Sequence, residues 1–358
     1  MKVLQILPQL NIGGVERGTL DLSKALIQKG HESFVISGGG ILVDELIQSG
    51  AKHYEIPVHI KSLRTLSLAK NLSKTISFID PDIVHVRSRM PAWVNFRAFK
   101  MLQKKPLLIS TFHGLYSFPI YSQVMSFVDH SIAISKTVEK YILKNYKLNK
   151  GDITVIPRGC DPTEFNNSSI NPDHKAKILN EFPEIVGKKV LTIPGRITKW
   201  KGVAEFIELL SLLDESYHGL IVGPTAKSKI KYLNKLQNKV SSLNLEDKIT
   251  FTGSRRDIAN IYKISDVVFN LSQTPEPFGR TMIEAIACGA KVVGWNHGGA
   301  SEILSELFPQ GLVKLNDMNE LLNTTNLIAK SNSSPRENTF TASRMTNSTI
   351  NLYQNLIN

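Results

Sequence analysis

Short aliphatic and β-branched runs alternate with segments of helical period along the whole 358-residue chain, and this alternation leaves few folds open. Strands are expected at Val3–Leu7, Ser33–Ser37, His53–Pro57, Ile83–Val86, Leu107–Thr111, Ser131–Ile134 and Thr154–Ile156. Between them, helices are expected over Val15–Lys29, Ile41–Gln48 and near Leu66–Phe78 and Ala92–Gln103. Strands without a polar face are buried on both sides, which is the pattern of a parallel sheet covered by helices. The fold class is therefore α/β, doubly wound. The pattern breaks over 161–189, where Pro162, Asn166, Asn167, Ser168, Ser169, Asn171, Pro172, Pro183 and Gly187 crowd together. That composition predicts a linker with at most one short helix, around Lys175–Asn180. Strands then resume at Lys189–Ile193, Leu220–Val222, Ile249–Thr252, Val267–Asn270, Val292–Trp295 and Leu312–Leu315. Two Rossmann-like domains follow, 1–165 and 166–340, with a cleft expected between them. Residues 341–358 form a C-terminal helix that can pack back on either domain, the N-terminal one in particular.

Composition narrows the class. A 42% hydrophobic content excludes disorder, and no apolar run approaches the ~20 residues of a membrane span. The opening Met1–Pro8 turns polar too quickly for a leader peptide. Cys160 and Cys288 make neither a disulfide framework nor a metal-ligand spacing, so a cytoplasmic location is expected. The net charge of +12 is uneven: residues 1–158 carry 21 Lys and Arg against 11 Asp and Glu, the remainder 22 against 20. A basic half suits an anionic partner, or is a simple solubility bias. Two cationic segments stand out: Lys61 to Ile76, with Arg64, Lys70 and Lys74, and Arg97, Lys100, Lys104 and Lys105. Such clusters either sit solvated on helices or dock the chain on the anionic inner face of a membrane. With no aromatic-rich basic strand or recognition helix, nucleic acid is not the expected partner.

Three segments carry chemistry. In the run Glu276-Pro277-Phe278-Gly279-Arg280-Thr281 … Glu284, a strand ends in a Pro-rich turn and a helix starts near Gly279. A helix N-terminus offers unpaired N–H groups to a phosphate. Glu276 can present its carboxylate to hydroxyls, and Glu284 can accept from both hydroxyls of a ribose; otherwise they are a capping acid and a solvated helix acid. In Gly195-Arg196-Ile-Thr-Lys199-Trp200-Lys201-Gly202, cations on a Gly-bounded loop after a strand can clamp a diphosphate. Gly13-Gly14 after the first strand either lets backbone approach a ligand or is a tight turn. Neither a Walker A loop nor a G-x-G-x-x-G fingerprint occurs at these places.

Taken in order, these motifs resemble the retaining glycosyltransferases of family 4, which have the two-domain GT-B fold. The match runs through Gly13-Gly14-Val-Glu16-Arg17, Thr111-Phe112-His113-Gly114, Ile156-Pro157-Arg158-Gly159, Arg196…Lys201-Gly202, Glu276/Glu284 and His297-Gly298-Gly299. Its combination is similar to enzymes that build bacterial lipopolysaccharide and other surface glycans. The resemblance implies that Arg196 and Lys201 neutralise the donor diphosphate and that Glu284 holds the ribose. It implies that Glu276 orients the transferred sugar, helped by the backbone of Phe278, Gly279 and Arg280, with Thr281 beside them. Gly13 and Gly14 close on the phosphates, and His113 contacts the sugar near the reacting carbon. Arg17 and Arg158 are further donor-site candidates; most family members carry Asn where Arg158 stands. The stretch Leu115–Tyr121 has no counterpart in the family pattern, and acceptor choice resides in such first-domain loops. The resemblance implies no cofactor and no metal, with a nucleotide-sugar donor, UDP-linked by preference, and a glycan or glycolipid acceptor as partners. A nucleotide-sugar epimerase of related fold and a non-enzymatic protein of anionic surfaces are the alternatives.

Overall fold

The structure, a computed structural model, describes every residue except 12, 61 and 118, and all side chains of the described residues except those of 63 and 119. Ile12 of the first glycine turn and Lys61 of the first cationic segment thus lie outside the described residues. The chain forms two compact units, one of Met1–Gly159 with Ala342–Asn358, the other of Cys160–Thr341.

The first unit is a seven-stranded, all-parallel sheet of β1 (Lys2–Ile6), β2 (Glu32–Ser37), β3 (Lys52–Glu55), β4 (Ile83–Val86), β5 (Leu107–Phe112), β6 (His130–Ala133) and β7 (Ile153–Val155). Its order is β3-β2-β1-β4-β5-β6-β7, so the winding reverses between β1 and β4. Val3, Ile83, Ile109 and Ile132 alternate down neighbouring strands into one buried cluster with Leu22 and Leu26 of the helix Gly14–Gln28. The C-terminal helix Ala342–Ile357 completes that cluster with Met345, Ile350 and Tyr353. Ile350 and Tyr353 are fully buried, each contributing about 1.5–3 kcal/mol of hydrophobic stabilisation. The Tyr353 hydroxyl is also tied to His85 Nδ1 at 2.6 Å. The last helix is thus an integral layer of the first unit.

The second unit is a six-stranded parallel sheet of β8 (Lys189–Pro194), β9 (Tyr217–Val222), β10 (Ile249–Gly253), β11 (Val267–Asn270), β12 (Lys291–Trp295) and β13 (Leu312–Val313). Its order, β10-β9-β8-β11-β12-β13, reverses between β8 and β11. The stretch whose composition predicts a linker is structured: the helix Pro172–Glu181 and the turn Pro183–Ile185 bury Ile178, Phe182 and Ile185 against Val190 and Leu220. Asn171 caps that helix by accepting from the Asp173 N–H at 2.8 Å, so Pro172 stands at the first helical position, where its missing N–H costs nothing. Three apolar residues at helical spacing outweigh the surrounding Asn, Ser and Pro. Both cysteines are buried and free.

Candidate active site

In the second unit every residue assigned to the donor follows β8 or β11, the two strands at which the winding reverses. Loops leaving such strands part in opposite directions and open a crevice at the carboxyl edge. The turn Lys199–Lys201 ends at Gly202, whose φ of 77° favours glycine. A Cβ on Gly202 would lie 2.0 Å from the Leu271 carbonyl oxygen, so only glycine lets the two loops touch. The Gln273 N–H then donates to the Trp200 carbonyl at 2.7 Å.

That contact brings Lys201 to Glu276. Lys201 Nζ donates to Glu276 Oε1, and Ser272 Oγ donates to the same oxygen at 2.6 Å. The Gly299 N–H donates to the Glu276 carbonyl at 2.8 Å, so main chain and side chain are both fixed. The side chains are 7% exposed for Glu276 and 17% for Lys201. Burial pushes the Glu276 carboxyl up, but the Lys201 charge and hydrogen bonds from Lys201, Ser272 and Asn270 outweigh it and hold it below the ordinary range. Glu276 is an ionised, oriented acceptor for hydroxyl groups.

Glu284 contrasts with it. Arg280, four residues earlier on the helix Arg280–Ala287, donates to Glu284 Oε1 from Nη2 at 2.6 Å and from Nε at 3.1 Å. Burial raises the Glu284 carboxyl above its ordinary value, and the Arg280 charge opposes this without cancelling it. Neither acid is a solvated surface acid. The helix begins behind Gly279 with no side chain capping it, which leaves its first N–H groups for a ligand. Phe278 is buried against Phe340, with ring centroids 5.7 Å apart. Thr281 is half-buried in the first helical turn, while Arg196 is exposed and makes no ion pair among the described residues. Ser272 and Asn270 are not singled out by the sequence; only their place at the end of β11 marks them.

In the first unit, Gly13 and Gly14 follow β1, His113 follows β5 and Arg158 follows β7. The Arg158 guanidinium donates to the Gly14 carbonyl and crosses Gly18, where a Cβ would lie 2.7 Å from it. Arg158 thus braces the glycine turn at the start of the first helix. Arg17 is tied to surface acids, Glu45 at 3.2 Å and Asp21 at 3.8 Å. His113 Nε2 is shielded from solvent and has no hydrogen-bond partner among the described residues. Burial, then the Arg158 and Arg87 charges, hold the imidazole well below its ordinary pKa, so His113 is neutral near pH 7.

Arg87 escapes a reading of the sequence although it directly follows the apolar strand β4. It is 4% exposed, its Nη1 donates to Gln5 Oε1 at 2.5 Å, and it makes no ion pair among the described residues. The acidic pair Asp80-Pro81-Asp82, whose D-x-D spacing could hold a divalent ion, lies at the amino end of β4, away from the loops at the carboxyl edge. There Asp80 pairs with Lys104 at 2.9 Å and Asp82 accepts from the Lys2 N–H at 2.7 Å. No group of three or more His, Cys, Asp or Glu gathers as a metal would require among the described residues.

Two doubly wound units, the second with an ionised carboxylate held to a lysine where its winding reverses, are the frame, and the sequence families give the class. Residues 12–164 match Glycosyltransferase Family 4, and residues 175–343 match Glycosyl transferases group 1. The chain is a glycosyltransferase of family 4 with the GT-B fold. It is 29% identical to a glycosyltransferase of Rickettsia africae ESF-5, with a TM-score of 0.86 over 99% of this chain and 98% of that one. It is 24% identical to a component of the human phosphatidylinositol N-acetylglucosaminyltransferase over 83% of this chain, and spans 62% of that protein's length. It is 25% identical to the Escherichia coli UDP-Gal:alpha-D-GlcNAc-diphosphoundecaprenol alpha-1,3-galactosyltransferase, over 89% of this chain and 85% of that protein. These matches decide for the transferase over the epimerase and the non-enzymatic alternative.

Proposed function

We propose that this glycosyltransferase moves a sugar from a UDP-sugar to a lipid-linked or lipopolysaccharide-type surface-glycan acceptor, with retention of configuration and without a metal. The observation that carries the reading is the buried, ionised Glu276 held by Lys201 at the β8/β11 reversal. Breaking the bond between the sugar and the diphosphate builds negative charge on the leaving group. Lys201, Arg196 and the helix start at Gly279 are the fixed positive groups that stabilise it, a contribution that is commonly the largest in catalysis. Glu276 orients the sugar hydroxyls and Glu284 the ribose. His113, neutral, contacts the sugar by hydrogen bonding rather than by charge. The leaving phosphate itself takes the acceptor proton on the face it vacates, which retains configuration.

The E. coli relative, whose name specifies a UDP-sugar donor and a diphosphoundecaprenol-linked acceptor, supports the donor and the lipid-linked partner. Among the described residues no helix is long and apolar enough to cross a membrane, so a lipid-linked acceptor would be met from the surface. Location at the inner face of the cytoplasmic membrane is part of the same proposal. A thermal-shift panel of UDP-, GDP-, ADP- and CMP-sugars tests it. A true donor raises Tm by mass action, and the expected result is a rise with the UDP-sugars alone. Stabilisation by another nucleotide class and not by UDP would refute the donor assignment.

A further inference from the structure

The first unit has a cavity of its own at the carboxyl edge of its sheet, and neither Arg87, Arg158 nor His113 lines it. It is built from residues after β1, β3, β4 and β5, has a volume of about 740 Å³, and among the described residues no carboxylate lines it. That size suits a small-molecule ligand. Trp93, Tyr121, Met90 and Leu66 give it an aromatic and aliphatic wall, and Arg89 is its cation.

Arg89 is placed to hold an anion. It opens the helix Arg89–Phe99, and its guanidinium carbon lies 4.7 Å from the Tyr116 ring centroid and 5.5 Å from that of Tyr121. Its Nη1 donates to Ser122 Oγ at 3.3 Å, and it forms no ion pair among the described residues. Two rings orient the fork while leaving most of its donors unused, the arrangement in which Arg recognises phosphate. The Ser88 side chain does not cap the helix, whose first backbone hydrogen bond runs from the Ala92 N–H to the Ser88 carbonyl at 3.0 Å. The N–H groups of Arg89 and Met90 stand before it, beside the same cation. Trp93 Nε1 donates to the Tyr121 carbonyl at 2.9 Å, which pins the indole to the stretch Leu115–Tyr121, for which the family pattern supplies no role.

Resting on the transferase reading above, we propose that this cavity is the acceptor subsite and that it takes a phosphorylated sugar, the phosphate on Arg89 and the sugar ring against Trp93 and Tyr121. Aromatic faces cover the apolar side of a pyranose, and the unpaired arginine supplies the complementary charge. The phosphate has two sources with the same chemistry, a soluble sugar phosphate or a lipid diphosphate.

The three tryptophans, Trp93, Trp200 and Trp295, give a local readout. In protein labelled with 5-fluorotryptophan, Trp93→Phe identifies the ¹⁹F resonance of Trp93 and Trp200→Phe that of Trp200. N-acetylglucosamine 1-phosphate and glucose 1-phosphate should shift the Trp93 resonance saturably, and the unphosphorylated sugars should bind about tenfold more weakly or worse. Arg89→Gln should abolish that discrimination and Arg89→Lys restore part of it. Farnesyl-diphospho-N-acetylglucosamine binding more tightly than the soluble phosphates would identify the lipid source, with Leu66 and Met90 taking the chain; equal affinity would identify the soluble one. The proposal is overturned if neutral and phosphorylated sugars bind alike, or if Trp93 stays silent to every probe at about 10 mM, a concentration that would reveal even millimolar affinity. UDP is the control. A Trp200 shift with UDP alongside a silent Trp93 removes the acceptor subsite and keeps the transferase reading, whereas silence of both removes the reading itself.

Discussion

Lys201 and Glu276 stand 75 residues apart in sequence and share one ion pair, Glu276 buried and Lys201 half-buried, closed by the contact of Gly202 with Leu271. In the proposed function this pair sets Glu276 and Lys201 in place for the donor. The pair also makes its two members unequal to Arg196 in what their loss would do.

Lys201→Ala should lower kcat/KM by about 100-fold or more and also lower Tm, because it leaves a buried carboxylate without its cation. Arg196→Ala should lower kcat/KM comparably with Tm unchanged, since its side chain is exposed. Lys201→Ala combined with Glu276→Gln should recover Tm without recovering activity. Kinetics beside differential scanning calorimetry on the three variants check this. An unchanged Tm in Lys201→Ala would mean that the pair carries no stability.

The two acids should give stability opposite slopes with pH. Glu276 is held below its ordinary value, so its contribution is present above the unfolded glutamate pKa and lost as pH falls through its folded one. Glu284 is raised, so its contribution is full below the unfolded value and lost as pH rises through the folded one. Relative to wild type, Glu284→Gln should therefore gain Tm as pH rises from the ordinary glutamate pKa through the raised folded value. Glu276→Gln should lie below wild type in Tm at all pH values above the ordinary glutamate pKa, the deficit closing only as pH falls through the lowered folded value. Parallel slopes for the two variants would contradict the assigned environments.

Function should separate the same residues. Glu276→Ala and His113→Ala should cut kcat, whereas Glu284→Ala should weaken nucleotide binding, because ribose contacts are alike in ground and transition states. With His113 neutral, kcat should show no limb in the ordinary histidine range. Activity should also withstand excess EDTA; loss on chelation and recovery with Mg²⁺ would contradict the metal-free proposal.

The basic first unit should bind phosphatidylglycerol-rich vesicles at low salt and release them at high salt, as each cation adds about 1 kcal/mol within a Debye length. The structure adds an apolar component: Phe78 is 80% and Met101 56% exposed, near Lys74, Lys100 and Lys104. Lys104 is already paired with Asp80, so Lys70, Lys74 and Lys100 are the better charge reversals. Changing these three to Glu together with Phe78→Asp should abolish co-sedimentation with UDP affinity intact. Salt-independent co-sedimentation would rule out the electrostatic docking.

Most strands are legible in the sequence because period and burial coincide; Ile83–Val86 and Val267–Asn270 agree to the residue. The helix Pro172–Glu181 is longer than its composition suggests, because Asn, Ser and Pro hide Ile178 and Phe182, whose worth appears only once Val190 and Leu220 pack on them. Of the candidate site, Lys201, Glu276 and Glu284 stand out through motif and order. The Lys201–Glu276 pairing does not, because a contact across 75 residues depends on two loops meeting at Gly202. Arg87 is overlooked for a related reason: an arginine after a strand reads as a surface charge until its neighbours enclose it. Arg89 and Trp93 border a helix expected near Ala92–Gln103 that in fact starts at Arg89, which hides them at a strand's carboxyl edge.

The central claim, that the second unit holds the donor diphosphate on Lys201, is tested most directly by calorimetric titration of UDP and uridine into wild type and Lys201→Ala. UDP should bind the variant about 30-fold or more weakly, in line with a charge-assisted phosphate contact, while uridine binds both alike. Equal UDP affinity for the two proteins would contradict the account.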